Sequence, residues 1–333
     1  MELDWLEAAA WSAAPQTNLA KSKLLPLPRA LPPYPFGPSA QENLPQHPES
    51  RPWQIEAGTA KEAKDNGDQG PAMRHAKGGR IRVGEATAFP NLFAFAQHHA
   101  VVVLTKTHYQ PIDGYEEATI RNAVEASLIY LKSVRKKHPK NLYASINWNH
   151  LPTAAASMIH PHFQVIADEA PTLYTSETLK TSKTYLRKHG VNYWDDTAQT
   201  EKQLGKRYIA DFGETKWYTS YSGLGNNDTV GVTDATNLLE MTPQTIRDLS
   251  RGLTATLRGY HSIGVQGFNM SLFSAPLNKH TSYYRVHLRI ISRPDVKQLY
   301  TADTGFLERL HNEVVVETMP EEVAQKIRAA NGL

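Results

Sequence analysis

The stretch Ser157-Met158-Ile159-His160-Pro161-His162-Phe163-Gln164-Val165-Ile166-Ala167 decides how this chain reads. Phe163 to Ile166 has the apolar pattern of a short buried strand. Side chains alternate faces along a strand, so His160, His162 and Gln164 point one way while Phe163 and Val165 point the other. Two imidazoles and an amide then stand about 7 Å apart on a face the apolar residues do not need. Such a row suits an anionic ligand. A His-x-His pair alone is a weak signal in a chain with 14 histidines. Gln164, the upstream Ser157 and the strand pattern strengthen it.

Composition narrows the classes open to this row. A chain of 333 residues can bury a large core, as two domains or as one built from similar halves. It is 21% charged and 40% hydrophobic, the balance of an ordinary globular protein. A net charge of +3 without a long basic run argues against nucleic acid; Arg135-Lys136-Lys137-His138 reads as a helix C-terminus, where cations suit the dipole. The absence of cysteine removes disulfides, thiolate nucleophiles, iron–sulfur clusters and Cys-based zinc sites. An acidic start (Glu2, Asp4, Glu7) does not read as a signal peptide, and no apolar run approaches a membrane span, so the expected compartment is the cytoplasm.

Residues 1–53 hold 10 of the 21 prolines and read as an extended arm, packed on its own core or recognising a partner. Residues 56–80 are polar and Gly-rich and read as a loop. Ala88–Phe95 and Ala100–Leu104 read as two strands joined by Gln97-His98-His99. Tyr115 to His138 is an amphipathic helix whose face is Ile120, Ala123, Val124, Leu128, Leu131 and Val134, ended by Pro139. Leu142–Trp148 is the next strand, and the loop Asn149–Ser157 leads to the opening stretch. The order then recurs. Arg207–Phe212 and Lys216–Tyr221 form a strand pair and Thr229–Val232 a short strand. A helix follows with Thr242 as N-cap, Pro243 in its first turn, and Ile246, Leu249, Leu253, Leu257 and Tyr260 on its apolar face. Gly267–Phe273 is a strand, and Tyr284–Ile291 closes the series. Residues 170–205, with a helix around Ser176–His189, connect the two runs.

Val286-His287-Leu288-Arg289-Ile290-Ile291 repeats the pattern of Pro161-His162-Phe163-Gln164-Val165-Ile166, with Arg285 where His160 stood and Arg289 where Gln164 stood. An internal duplication follows, and with it an α+β fold of two tandem halves with antiparallel sheets and packed helices. The expected divisions are 1–53 for the arm, 54–170 for the first half and 171–333 for the second.

His160-Pro161-His162-Phe163-Gln164 resembles the His-Pro-His-x-Gln motif of the galactose-1-phosphate uridylyltransferase-like branch of the histidine-triad superfamily. Further resemblances are Arg51-Pro52-Trp53-Gln54, Phe89-Pro90-Asn91, Thr105-Lys106-Thr107-His108, Asn149, Val286–Arg293 and Pro320 through Arg328. They run from about residue 50 to the end, and the family is itself built from two similar halves. The resemblance implies that His162 attacks the α-phosphorus of a nucleotide, with His160 orienting the turn and Gln164 donating to a phosphate oxygen. It also implies phosphate contacts from Asn149 and Ser157 and nucleotide contacts around Phe89 and Asn91. Arg51 is either a phosphate contact or a solvated arginine, and Asn91 a nucleotide contact or a turn residue. Arg285, His287 and Arg289 share one strand face, which either meets phosphate or pairs with carboxylates.

Departures from the family shape the rest of the expectation. The structural zinc of many members uses a Cys-x-x-Cys pair, a His and the first motif His; here His108 and His160 remain, with only His75 in reserve. The second metal site is also changed, with Arg285 in place of one histidine and Phe273 or Ser274 near another. No metal cofactor is expected. Leu92 stands where an acidic residue can hold ribose, and Val314-Val315-Val316 where sugar hydroxyls are bound. The expected activity is therefore nucleotidyl transfer or phosphorolysis through nucleotidyl-His162, from a nucleotide or nucleotide-sugar donor to a phosphorylated acceptor other than the usual galactose pair. A hydrolase and a degenerate nucleotide-binding protein are the alternatives. The resemblance implies a homodimer.

Overall fold

Period-two alternation of apolar and polar residues makes one face of each strand a core face. The computed structural model describes residues 74–76, 80–138, 140–295 and 302–333; the arm, with Arg51, lies outside them, as does the side chain of His75. The strands of the first half are β1 (Arg74–Ala76), β2 (Arg80–Val83), β3 (Ala86–Pro90), β4 (His98–Val103), β5 (Tyr143–His150) and β6 (His162–Asp168). Those of the second are β7 (Tyr208–Phe212), β8 (Thr215–Thr219), β9 (Thr229–Val232), β10 (Gly267–Phe273) and β11 (His287–Arg293). The helices are α1 (Glu117–Lys137), α2 (Leu173–His189), α3 (Tyr193–Leu204), α4 (Pro243–Ser262) and α5 (Pro320–Ala330). Among the described residues no helix is long and apolar enough to cross a membrane.

The strands form a single antiparallel sheet in the order β1-β2-β3-β4-β6-β5-β10-β11-β9-β8-β7. Leaving aside β1, each half has the same internal order, and the halves meet where β5 pairs with β10. The register proves the symmetry. Asn147 pairs with Gln164 in the first half as Ser271 pairs with Arg289 in the second, and Asn147 and Ser271 pair with each other. The pseudo-dyad therefore passes between Asn147 and Ser271, and the antiparallel sheets of the two halves join into one continuous sheet.

Helices α1 and α4 pack side by side on one face of the sheet, and α5 packs on α4. The α1 face is the one its periodicity predicts: Ile120, Ala123, Val124, Leu128, Leu131 and Val134 are all buried. Thr242 caps α4, its hydroxyl accepting the Thr245 N–H at 3.1 Å. Phe163, Val165 and Ala167 of β6 belong to this core, as do Leu288 and Ile290 of β11. Gly252 allows the close approach of α4 to Trp217; a Cβ there would overlap the indole ring.

The opposite face, which carries His162 and His287, is treated differently in the two halves. Over the second half, α3 lies against β7, β8 and β9, and Trp194, Ala198, Tyr218, Val230, Val232 and Tyr284 form a small separate core. No described helix packs on that face of the first half. The connecting residues form two helices where one was expected. Gly190 in the left-handed region ends α2, and Asn192 caps α3 by accepting the Trp194 N–H.

Candidate active site

His162 is the first residue of β6, registered opposite Val103 of β4 and 6% exposed. Its Nδ1 lies 2.8 Å from the backbone oxygen of His160. A carbonyl only accepts, so Nδ1 carries the proton and Nε2 keeps its lone pair. One contact thus fixes both tautomer and ring orientation, and Nε2 has no partner among the described residues.

Gln164 lies two residues further along the same face. Its Oε1 is 3.1 Å from Nε2 of His99. The orientation of that bond follows from the other side of the ring, where the Phe95 N–H donates to His99 Nδ1 at 3.4 Å. With Nδ1 accepting, Nε2 must hold the hydrogen and Gln164 must offer its oxygen. Burial holds His99 below the ordinary histidine value, so it is neutral near pH 7. The Gln164 amide nitrogen is then left free to donate.

Asn149 is oriented by the same logic, through a chain that starts at a cation. Arg293 Nη1 donates to Asn269 Oδ1 at 2.9 Å. The Asn269 amide nitrogen therefore faces its other partners, the Ala154 backbone oxygen and Asn149 Oδ1, each at 2.8 Å. Arginine cannot accept and a backbone carbonyl cannot donate, so the direction Arg293 to Asn269 to Asn149 is fixed. Asp303 holds Arg293 in turn, accepting from its Nε at 3.2 Å. Asn149, like Gln164, has its oxygen tied and its nitrogen free.

His160 precedes the strand rather than extending the row along it. Its Nε2 donates to the Thr105 oxygen at 2.9 Å, and its Nδ1 is 3.1 Å from Nδ1 of His108. Two imidazoles are half of a closed tetrahedral zinc site, and no group of three His, Cys, Asp or Glu side chains placed to hold a metal occurs among the described residues. The described donors do not fit the family's zinc, and no step below passes through it. Ser157 is exposed in the loop before β6. Phe89 lies on β3, registered opposite Val101. Asn91 Oδ1 accepts the Phe93 N–H at 3.1 Å, and its Nδ2 lies against the His99 ring.

Of the two expectations for the face of Arg285, His287 and Arg289, pairing with carboxylates describes both arginines. Arg285 pairs with Asp195, at 3.0 and 2.7 Å, and Arg289 with the buried Asp228. His287 repeats the His162 clamp, its Nδ1 lying 3.0 Å from the Arg285 oxygen. Its Nε2, however, meets the Tyr174 hydroxyl at 3.3 Å, Trp194 stacks on the ring at 3.8 Å, and its exposure is 0%. The duplicated histidine is walled in by α2 and α3.

Three supporting residues escaped the sequence reading. His99 was placed in a turn, but β4 begins at His98, so His99 is a strand residue facing Gln164. The apolar run of Ala100 to Leu104, extended two residues back, was the available signal. Arg293 continues the period-two row of Arg285, His287 and Arg289. Asn269 carried no local signal.

No family model matches the chain. A protein of Archaeoglobus fulgidus, described as uncharacterized, is 28% identical over 245 residues, which are 74% of this chain and 72% of the relative. Among solved structures, a uridylyltransferase mutant superposes with a TM-score of 0.66 at 21% identity, covering 75% of this chain and 89% of the other. A GalT-like protein of Arabidopsis thaliana gives 0.63 at 17% identity, covering 74% and 86%. An ADP-glucose phosphorylase of Arabidopsis thaliana with bound ADP-glucose gives 0.62 at 15% identity, covering 73% and 82%. The chain shares the fold of these uridylyltransferase, GalT-like and ADP-glucose phosphorylase structures.

Proposed function

We propose that the protein is a nucleotidyltransferase or phosphorylase that works through a covalent nucleotidyl-His162, taking its donor from nucleotides or nucleotide sugars. The carrying observation is the His162 clamp: with Nδ1–H donated to the His160 carbonyl, Nε2 keeps its lone pair and has no partner among the described residues. In the first displacement Nε2 attacks the α-phosphorus. The N–P bond forms, the bond from phosphorus to the leaving oxygen breaks, and its electron pair departs on the leaving phosphate. In the second, an oxygen of the phosphorylated acceptor attacks phosphorus and the N–P electrons return to Nε2. The Nδ1 proton stays in place throughout, so the His160 carbonyl steadies the cationic ring of the intermediate.

Negative charge builds on the non-bridging oxygens in both displacements. The free amide nitrogens of Gln164 and Asn149 are neutral donors suited to that charge, and their tied oxygens prevent them from presenting the wrong end. Ser157 and Arg51 are proposed as further phosphate contacts, and Phe89 as a wall for the base. The neighbours with this fold include a uridylyltransferase and a phosphorylase, which supports the reaction class.

The test is incubation with α-labelled ADP-glucose, UDP-glucose and diadenosine polyphosphates, followed by adduct mapping. The expected adduct is acid-labile and sits on the peptide carrying His162; the peptide carrying His287 stays unlabelled. His162→Ala abolishes labelling. Equal labelling of that variant, or none of the wild type with any donor, sinks the mechanism. Dependence of turnover on a phosphate acceptor separates transfer from release to water.

A further inference from the structure

The pseudo-dyad relates the surroundings of the two histidines as well as the histidines themselves. In the first half, Gln164 is registered opposite Val101, and Val101 opposite Phe89. In the second, Arg289 is opposite Val230, and Val230 opposite Tyr218. Phe89, Val101 and Gln164 therefore correspond in position to Tyr218, Val230 and Arg289. The latter three line a cavity of about 460 Å³ walled by residues of α2 and α3. That size is ordinary for a small-ligand site.

Its chemistry differs from that around His162. Charge is already cancelled: Arg289 is paired with Asp228, and Arg207 at the rim with Glu201 and Glu321. An entering phosphate would have to break a buried ion pair, which leaves Asp228 uncompensated. What the walls offer is hydroxyls. Tyr218 is 4% exposed and its hydroxyl has no hydrogen-bond partner among the described residues, nor do those of Ser182 and Thr197. None of the three hydroxyl oxygens is fully buried, so each is open to hydrogen-bond a polar occupant, and Trp194 Nε1 on the same wall is buried without a partner among the described residues. Trp194 and Tyr193 add aromatic surface.

We propose that this cavity is a second, unreactive ligand site that takes an uncharged, polyhydroxylated ring compound, the chemistry shared by a nucleoside and a free sugar. Reaction is excluded there because Tyr174 and Trp194 cover the His287 ring. The site is independent of whether His162 forms an adduct, so the two readings fail separately.

Equilibrium dialysis of the full chain against labelled adenosine, uridine, glucose and galactose tests it, and the probe that binds tells nucleoside from sugar. Three variants locate the bound probe. Tyr218→Phe removes only a hydroxyl without a partner and keeps the thermal midpoint; Thr197→Trp fills the cavity from the partly exposed wall of α3; Gln164→Ala alters the His162 site. The expected result is one equivalent bound, weakened about ten-fold or more in Tyr218→Phe and Thr197→Trp, and unchanged in Gln164→Ala. Any other pattern overturns the proposal, as does the absence of binding by every probe up to about 10 mM.

Discussion

At the scale of single residues, the proposed reaction relies on tying down the oxygen of an amide so that its nitrogen has one thing left to do. An amide free to flip would offer an oxygen to an anionic phosphate as often as a nitrogen. His99 prevents this for Gln164, and Arg293, through Asn269, prevents it for Asn149. His99→Phe keeps a ring against Phe95 but removes the donor to Gln164. Arg293→Met keeps a stem of similar length and removes the donor to Asn269. Each is expected to slow adduct formation about ten-fold or more while changing donor affinity little, because the lost contribution is to charge that develops on the way to the adduct. Single-turnover labelling across donor concentrations separates rate from affinity. A pure loss of affinity in both variants contradicts the positioning role.

Among the secondary-structure elements, α3 is the least anticipated and the most revealing. Only Trp194 and Ala198 give Tyr193–Leu204 an apolar face, too short a signal to mark a helix, although Asn192 is a recognisable cap. By contrast Thr229–Val232 and Gly267–Phe273 are read from the sequence without error, the first because it is buried throughout and the second because it alternates against the core from Phe268 onward. What local pattern cannot carry is a partner far along the chain. The family resemblance implies a phosphate contact from Asn149, which lies within β5, but the Asn269 that orients it is 120 residues away. Asn192 makes a testable link of this kind: Oδ1 caps α3, Nδ2 donates to the Ser282 oxygen at 2.8 Å, and the side chain is buried. Asn192→Ala is expected to cost about 1–2 kcal/mol. Hydrogen exchange in α3 should rise while β5 and β6 stay protected; uniform exchange across the chain would refute a local role.

For the molecule as a whole, buried histidines set the response to acid. Burial pushes His150 down to about 4 and His287 down to about 3. Unfolded histidine takes up a proton near pH 6.5, while these folded ones refuse it until the pH is far lower. Below pH 6.5 the unfolded chain therefore binds more protons, and stability falls with pH until each folded value is reached. Native carboxylates held low, such as Asp211 and Glu240, add their loss only at more acid pH. Urea unfolding at pH 7.5, 6.0 and 5.0 should show stability already falling at pH 6.0 and a drop totalling about 2–4 kcal/mol by pH 5.0. A curve level from pH 7.5 to 5.0 would contradict this account.

The β5–β10 ladder at the centre of the sheet has a consequence for how such a chain can be cut and rebuilt. Each strand is the inner edge of its own half, and the dyad makes the two edges equivalent in pattern. A polypeptide ending near residue 170 would expose β5 as an unpaired edge, and what matches it best, apart from the severed half, is another copy of itself. Expressed together, residues 74–170 and 171–333 are expected to reassemble into one sheet. Expressed alone, the first fragment should pair β5 with β5, in a two-fold dimer carrying two His162 sites. A first fragment that stays monomeric in sedimentation would show that the seam needs its natural partner.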